Sequence, residues 1–264
     1  MTGFTIFGVG MAVFSLIPIL GGLFVANMGR KAKNRSNTIQ ATETSEVSGL
    51  RPGKVEVKGT ARPAEAGSTL RSPISRDEAL ATKIIVQRYD SGTSETGGGW
   101  TTIYEDKEAV PFVVDDGTGE VRVDTPPASD QRMLLEMTRE RVPGGQEPPE
   151  KVRKFVERQQ EVDETSKSGI GPLSLGERRR YMEGSIQSGE DVYVLGKARE
   201  QAGWDERGYV IDGTTESGEF VVSDKPEEQL VKEGKWGGIL LYVVGGISVL
   251  VGGFLMLVSL FFFL

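Results

Sequence analysis

The chain has 264 residues, a formal net charge of −7, and neither cysteine nor histidine. Missing thiols and imidazoles exclude disulfides, zinc sites built on sulfur or nitrogen, Ser-His-Asp and Cys-His catalysis, and the usual switch near neutral pH. The net charge includes Arg30, Lys31, Lys33 and Arg35; subtracting these four positive charges leaves −11 on the rest, a poor match for nucleic acid.

Every charged side chain lies between Arg30 and Lys235, so residues 1–29 and 237–264 are uncharged and almost wholly apolar. Each end exceeds the ~20 apolar residues that cross a hydrocarbon core, and each is predicted to be a transmembrane helix. A cleaved signal peptide would carry its positive charge before the apolar run, whereas here the charge follows it. Arg30, Lys31, Lys33 and Arg35 follow the first span, and Lys232 and Lys235 precede the second. Basic flanks stay on the cytoplasmic side, which predicts a two-pass cell-membrane protein with a cytoplasmic centre and both termini outside. Gly238, Gly245, Gly252 and Ser259 recur every seven residues and share one helix face, widened by Gly246 and Gly253. Small residues let membrane helices approach closely. The strip therefore suits packing against the first span, which contains Gly8, Gly10, Gly21 and Gly22, or a homo-oligomer.

Residues 30–49 read as a basic flank followed by a polar flexible tether from Ser36 to Gly49. A strand-rich domain over 50–230 follows. Alternation in Lys54 to Gly59 places Val55 and Val57 on one face of a strand. Further strands are predicted at Ala81–Tyr89 and Trp100–Glu105, around a Gly/Ser-rich loop, and as a pair within Val110–Val123. Asp115-Asp-Gly-Thr-Gly joins that last pair; Asp-Gly between apolar runs signals a hairpin. Its aspartates invite calcium, but their spacing is not that of an EF-hand, and the segment reads as a turn. A helical insert over about 129–163 is predicted to hold one helix from Asp130 to Arg141, capped by Ser129, and a second from Pro148-Pro149 through Val162. Val152, Phe155 and Val156 share a face of the second, which would cover one barrel end. Asp163–Gly171 reads as linker, and short strands follow at Arg178–Ile186, Gly189–Ala198, Gly208–Asp212 and Glu219–Ser223. Neither Gly8-Val-Gly10 nor Gly169-Ile-Gly171 resembles a phosphate-binding turn. The fold class is mainly β with α: an antiparallel Greek-key, OB-like barrel with a helical insert, flanked by two transmembrane helices.

Several ordered blocks carry a family likeness: Leu50-Arg-Pro-Gly-Lys-Val-Glu-Val-Lys-Gly-Thr-Ala, Ser72-Pro-Ile-Ser, Val110-Pro-Phe-Val-Val-Asp-Asp-Gly-Thr-Gly-Glu-Val-Arg-Val-Asp, Arg179-Arg-Tyr-Met-Glu and Gly189-Glu-Asp-Val-Tyr-Val-Leu-Gly. Together, over Leu50–Ser223, they resemble the GIDE or "beside a membrane" domain of membrane-anchored RING ubiquitin ligases and their prokaryotic relatives. The two-span layout is similar to that family too. The ligases transfer ubiquitin through a C-terminal RING domain whose zinc ions need Cys and His, and this sequence has neither. The resemblance implies a recruiting domain held against a membrane, and with the acidic composition it points to a prokaryotic, archaeal source.

Two basic groups are candidates for lipid or partner contact. Arg178, Arg179 and Arg180 could meet anionic head groups or blunt a strand edge by charge, and the juxtamembrane Arg30, Lys31, Lys33 and Arg35 already serve topology. No catalytic residue, cofactor or metal is assigned. The leading expectation is a membrane-anchored interaction or scaffold domain whose partners are membrane lipids and a protein, either soluble or membrane-embedded, but not nucleic acid. The alternatives are a ubiquitin ligase-like enzyme by family inheritance, one using carboxylates or Lys, or an accessory subunit of a membrane protease or stomatin-like complex.

Overall fold

A computed structural model of the chain describes residues 13–30, 44–92, 97–126, 132–163, 177–201, 208–213 and 220–261. It divides into a helical unit, Met1–Thr42 with Glu227–Leu264, and a strand-rich unit, Glu43–Pro226.

In the helical unit, α1 (Val13–Arg30) and α3 (Glu227–Phe261) are long and apolar enough to cross a membrane. The span Ile239–Leu260 has a mean hydropathy of 2.3, and only 17% of either span is buried. Phe24 and Leu250 stand exposed. That much bare apolar surface suits lipid rather than water as the solvent. Gly245 and Gly252 lie where α3 meets α1. A Cβ built on Gly245 would fall 2.6 Å from both the Ala26 nitrogen and the Gly22 carbonyl oxygen, and one on Gly252 would fall 2.5 Å from Ile19 Cγ1. Ser259 is buried and its hydroxyl donates to the Met256 carbonyl. Gly246 and Gly253 have open space before them, so they do not widen the seam. Gly238 lies on α3, but its surroundings, like Gly8 and Gly10, are outside the described residues.

The strand-rich unit is built on a closed five-stranded barrel. β1 (Gly53–Pro63) pairs with β6 (Phe112–Asp115), which pairs with β7 (Glu120–Val123). β7 pairs with β12 (Tyr209–Gly213), β12 with β11 (Asp191–Glu200), and β11 closes back on β1 from Gly53↔Ala198 to Thr60↔Asp191. The expected antiparallel pattern has one exception within the ring, since β7 and β12 run parallel. A short β13 (Val221–Ser223) shares the free edge of β11, and β8 (Arg132–Met133) adds to it in parallel. Inside lie Val57, Ala61, Leu80, Phe112, Val114, Val123, Val194, Ile211, Phe220 and Val222. Where β1 passes β6, a Cβ on Gly59 would overlap the Asp115 carbonyl oxygen, so only glycine allows this approach.

Four strands form a separate antiparallel sheet in the order β5 (Gly99–Ala109), β4 (Ala81–Asp90), β10 (Arg179–Ile186), β9 (Thr138–Val142). A small hairpin, β2 (Leu70–Arg71) with β3 (Glu78–Ala79), completes the unit. Its single described helix α2 (Glu150–Asp163) buries Val152, Phe155 and Val156 against Ile74, Ile84, Val86, Val142 and Tyr181. The Phe155 ring meets Tyr104 and Tyr181 edge to face, at 6.3 and 6.4 Å between centroids. The helix thus covers the four-stranded sheet and not, as expected, a barrel end.

Two further expectations are overturned. The segment read as a helix from Asp130 to Arg141 is described from Arg132 onward as strands β8 and β9. Pairing with β13 and β10 overrides local helix propensity, and it lets Met133 and Leu135 enter the barrel core while Val142 enters the second core. The tether also ends earlier than Gly49. Residues 44–50 are docked, with Val47 and Leu50 in the barrel core and a 3-10 turn over Val47–Gly49. The Ser45 amide donates to the Glu56 carbonyl at 2.8 Å, and the Ser48 amide to Thr118 Oγ1.

The β6–β7 turn holds this docked segment. Asp116 accepts hydrogen bonds from the Val47, Thr118 and Gly119 amides and the Thr118 hydroxyl, at 2.7–3.1 Å, while Gly117 supplies the required φ of +82°. These donors explain why the paired aspartates make a turn: the Asp116 oxygens already serve local amides. Burial pushes the Asp116 carboxyl up, but the four hydrogen bonds together outweigh it and hold it below the ordinary carboxylate range. A depressed folded-state pKa contributes stability that is present above the unfolded value and lost as pH falls through the folded one. Asp116→Ala is expected to cost about 2 kcal/mol near neutral pH. The deficit should shrink on acidification, as denaturant melts at stepped pH would show; a pH-independent deficit would contradict this.

Candidate interaction surface

Because strand side chains alternate, the outer face of the four-stranded sheet can be read from its register. Arg180 on β10 lies opposite Gln87 on β4 and Arg141 on β9, and Met182 lies opposite Arg139. Tyr89 pairs with Trp100, and Gln87 with Thr102. These residues share the face that α2 leaves uncovered.

The face is both basic and aromatic. The Arg180 guanidinium lies 4.4 Å from the Trp100 ring centroid and also bonds Gln87 Oε1, while Arg178 lies 5.5 Å from the Tyr89 centroid. Such stacking restricts the long side chains while leaving guanidinium N–H groups free to turn outward. Tyr89 and Trp100 meet edge to face at 5.3 Å. Among the described residues, no carboxylate lies within ion-pair distance of Arg139, Arg141, Arg178 or Arg180. Partial burial, with the positive charge of Arg139 and Arg141, pushes the Arg180 pKa down. Elsewhere on the sheet Glu105 is paired with Lys83 at 3.2 Å.

The three consecutive arginines do not act together. Arg178 is exposed and Arg180 half-buried on the outer face, but Arg179 points inward, is 5% exposed, and is held by Glu177 at 2.8 Å. β10 sits between β4 and β9, so blunting of a strand edge does not explain them. Of the juxtamembrane group, Arg30 ends α1 and is exposed, while Lys31, Lys33 and Arg35 lie outside the described residues. Sequence reasoning missed Arg139 and Arg141 because it placed them on a helix. The alternation in Thr138-Arg-Glu-Arg-Val was the available signal.

A second concavity of about 350 Å³ is lined by Asp77, Glu136, Glu140, Glu183, Glu190, Asp224 and Lys151, among others. Its carboxylates have structural work. Glu183 accepts the Ile74 and Ser75 amides, Asp224 accepts the Glu136 amide at 2.8 Å, and Lys151 is paired with Glu140. Burial first, then the charges of Glu136 and Glu190, push the Asp224 carboxyl up against that amide bond. Among the described residues no group of three or more acidic side chains is placed to hold a metal ion. These contacts tie the loops around the cleft together.

No curated protein and no solved structure matches the chain. One family model does, that of GIDE, described as "E3 Ubiquitin ligase", over residues 82–257. The match begins at β4, later than the Leu50 suggested by sequence resemblance, and runs past Ser223 through most of α3. It therefore spans the sequence of the basic sheet, of the barrel strands β6, β7, β11 and β12, and of most of the second apolar helix. Matched over 82–257 of its 264 residues, the chain belongs to the GIDE family, whose relation is to ubiquitin ligases.

Proposed function

We propose that this GIDE chain works by binding: it is a membrane-anchored interaction or scaffold domain that recruits partners and does not itself transfer ubiquitin. One observation carries the reading. None of its 264 residues is Cys or His, so this sequence can build neither the thiolate-imidazole zinc sites of a RING nor a thioester-forming cysteine. What it offers instead is an open, positively charged sheet face.

Its setting is a two-pass arrangement in the cell membrane, with the strand-rich unit in the cytoplasm and both termini outside. Arg30, Lys31, Lys33, Arg35, Lys232 and Lys235 support this orientation, as all six flank the inner ends of the spans. Because the chain lacks cysteine, single Thr118→Cys and Met1-adjacent Thr2→Cys variants report sidedness directly. In intact cells an impermeant maleimide is expected to label position 2 and not 118; the reverse pattern would overturn the orientation.

Recovery from membranes in mild detergent tests binding. The full chain is compared with one in which residues 43–226 are replaced by a flexible linker. Specific protein or lipid species should be retained only with the strand-rich unit present. Identical inventories from the two would count against a binding function.

A further inference from the structure

We propose that the outer face of the β5–β4–β10–β9 sheet, through Arg139, Arg141, Arg178, Arg180, Tyr89 and Trp100, docks on the head groups of an anionic phospholipid bilayer. The proposal deepens the reading of this chain as a binding domain and rests on it. Its basis is the coincidence on one face of four arginines and two paired aromatic rings, with the sheet's other face sealed by α2.

The chemistry fits head groups. Guanidinium offers a planar fork of donors for phosphate oxygens, and its stacking on Tyr89 and Trp100 keeps that fork ordered before the partner arrives. Trp and Tyr favour the water–lipid boundary because each joins an apolar ring to a polar hydrogen-bonding group. Each basic residue brought to a strongly anionic surface strengthens attachment by roughly fivefold, and the effect fades within a Debye length.

Charge elsewhere narrows the choice of polyanion. Away from this face the chain is acidic, so a long nucleic acid extending beyond the sheet would meet repulsion. A bilayer is flat and engages only the face presented to it. The unit is also joined by chain to an apolar helix at each end, with Pro226 running straight into Glu227 of α3. Such tethering raises the effective concentration of lipid, so individually weak contacts suffice. Glu177 and Asp90 sit at the rim near Arg178, lining a hollow of about 530 Å³ with Tyr89. Glu177 is already engaged by Arg179 and Arg88, whereas Asp90, whose Oδ1 accepts the Gly92 amide, keeps its charge at the exposed rim, where the four arginines outnumber it.

Thr102 lies on the proposed face and is exposed, and Lys154 is exposed on α2 behind the sheet. With no native cysteine, Thr102→Cys and Lys154→Cys each carry one nitroxide label in the full chain. Each is reconstituted in zwitterionic vesicles and in vesicles containing about one-third phosphatidylglycerol. Accessibility to a water-soluble relaxation agent and to oxygen is then read by electron paramagnetic resonance. The label at 102 is expected to lose water access and gain oxygen access only in the anionic vesicles, and the label at 154 to stay in water in both. High salt should reverse the protection, a result that needs no further variant, and Arg178→Ala with Arg180→Ala should abolish it. Equal accessibility at 102 in the two vesicle types, or protection indifferent to salt, would overturn the proposal. Protection induced in zwitterionic vesicles by an acidic polypeptide or single-stranded RNA would overturn the lipid assignment. The detergent recovery above is independent of vesicle composition, so failure here leaves the binding reading standing on its own test.

Discussion

Glu56→Ala is expected to destabilise the strand-rich unit by about 3 kcal/mol in denaturant melts, and to expose residues 44–50 to proteolysis. Strand alternation should put Glu56 in solvent between Val55 and Val57, yet it is 0% exposed. Its carboxylate accepts the Tyr193 hydroxyl and the Thr44 hydroxyl, each at 3.0 Å, and lies 3.4 Å from Lys58 Nζ. Truncation would leave the Tyr193 hydroxyl buried without this acceptor and open a void beside it. It would also release Thr44 at the start of the docked segment. Glu56→Gln keeps one acceptor oxygen, and its cost should be roughly half as large. A Glu56→Ala variant within 0.5 kcal/mol of the parent, a margin of about the size seen for surface changes, would contradict the role of this contact.

The second large effect concerns the spans. Gly245→Leu should separate α1 from α3, because every direction open to the new side chain begins with a Cβ 2.6 Å from the α1 backbone. Backbone cannot yield as a flexible side chain would, and close packing is the main force between helices in lipid. Gly246→Leu meets open space and serves as the matched control. Cross-linking by a short bifunctional thiol reagent between cysteines introduced at Ala26, beside Gly245, and at Val249, beside Gly22, should fall several-fold in the first variant and persist in the second. Equal cross-linking in both would refute the packing described for Gly245.

How much of this was legible in the sequence depends on how local each signal is. The apolar ends, the Asp115–Gly119 hairpin, α2 and most strand positions follow from composition, turn chemistry and periodicity over short windows, and each is present in the structure. The region over 132–142 misled because Met133, Leu134, Leu135 and Met137 mimic a helical stripe, while the partners that make it strands, β13 and β10, lie far along the chain. Glu56 misled for a related reason: its burial comes from residues 44–50, which look like polar linker until their few apolar members, Val47 and Leu50, find the barrel. The candidate surface was half visible. Three arginines in a row drew attention, but strand geometry sends the middle one inward and recruits Arg139, Arg141, Tyr89 and Trp100 from three other strands.

That the chain binds and does not transfer can be tested with purified components. A conjugating enzyme charged with ubiquitin is mixed with the full-length chain in mild detergent, and loss of the thioester is followed over time. With no Cys or His available, the account predicts the same discharge rate with and without the chain. Discharge that accelerates in proportion to the amount of chain added would contradict it.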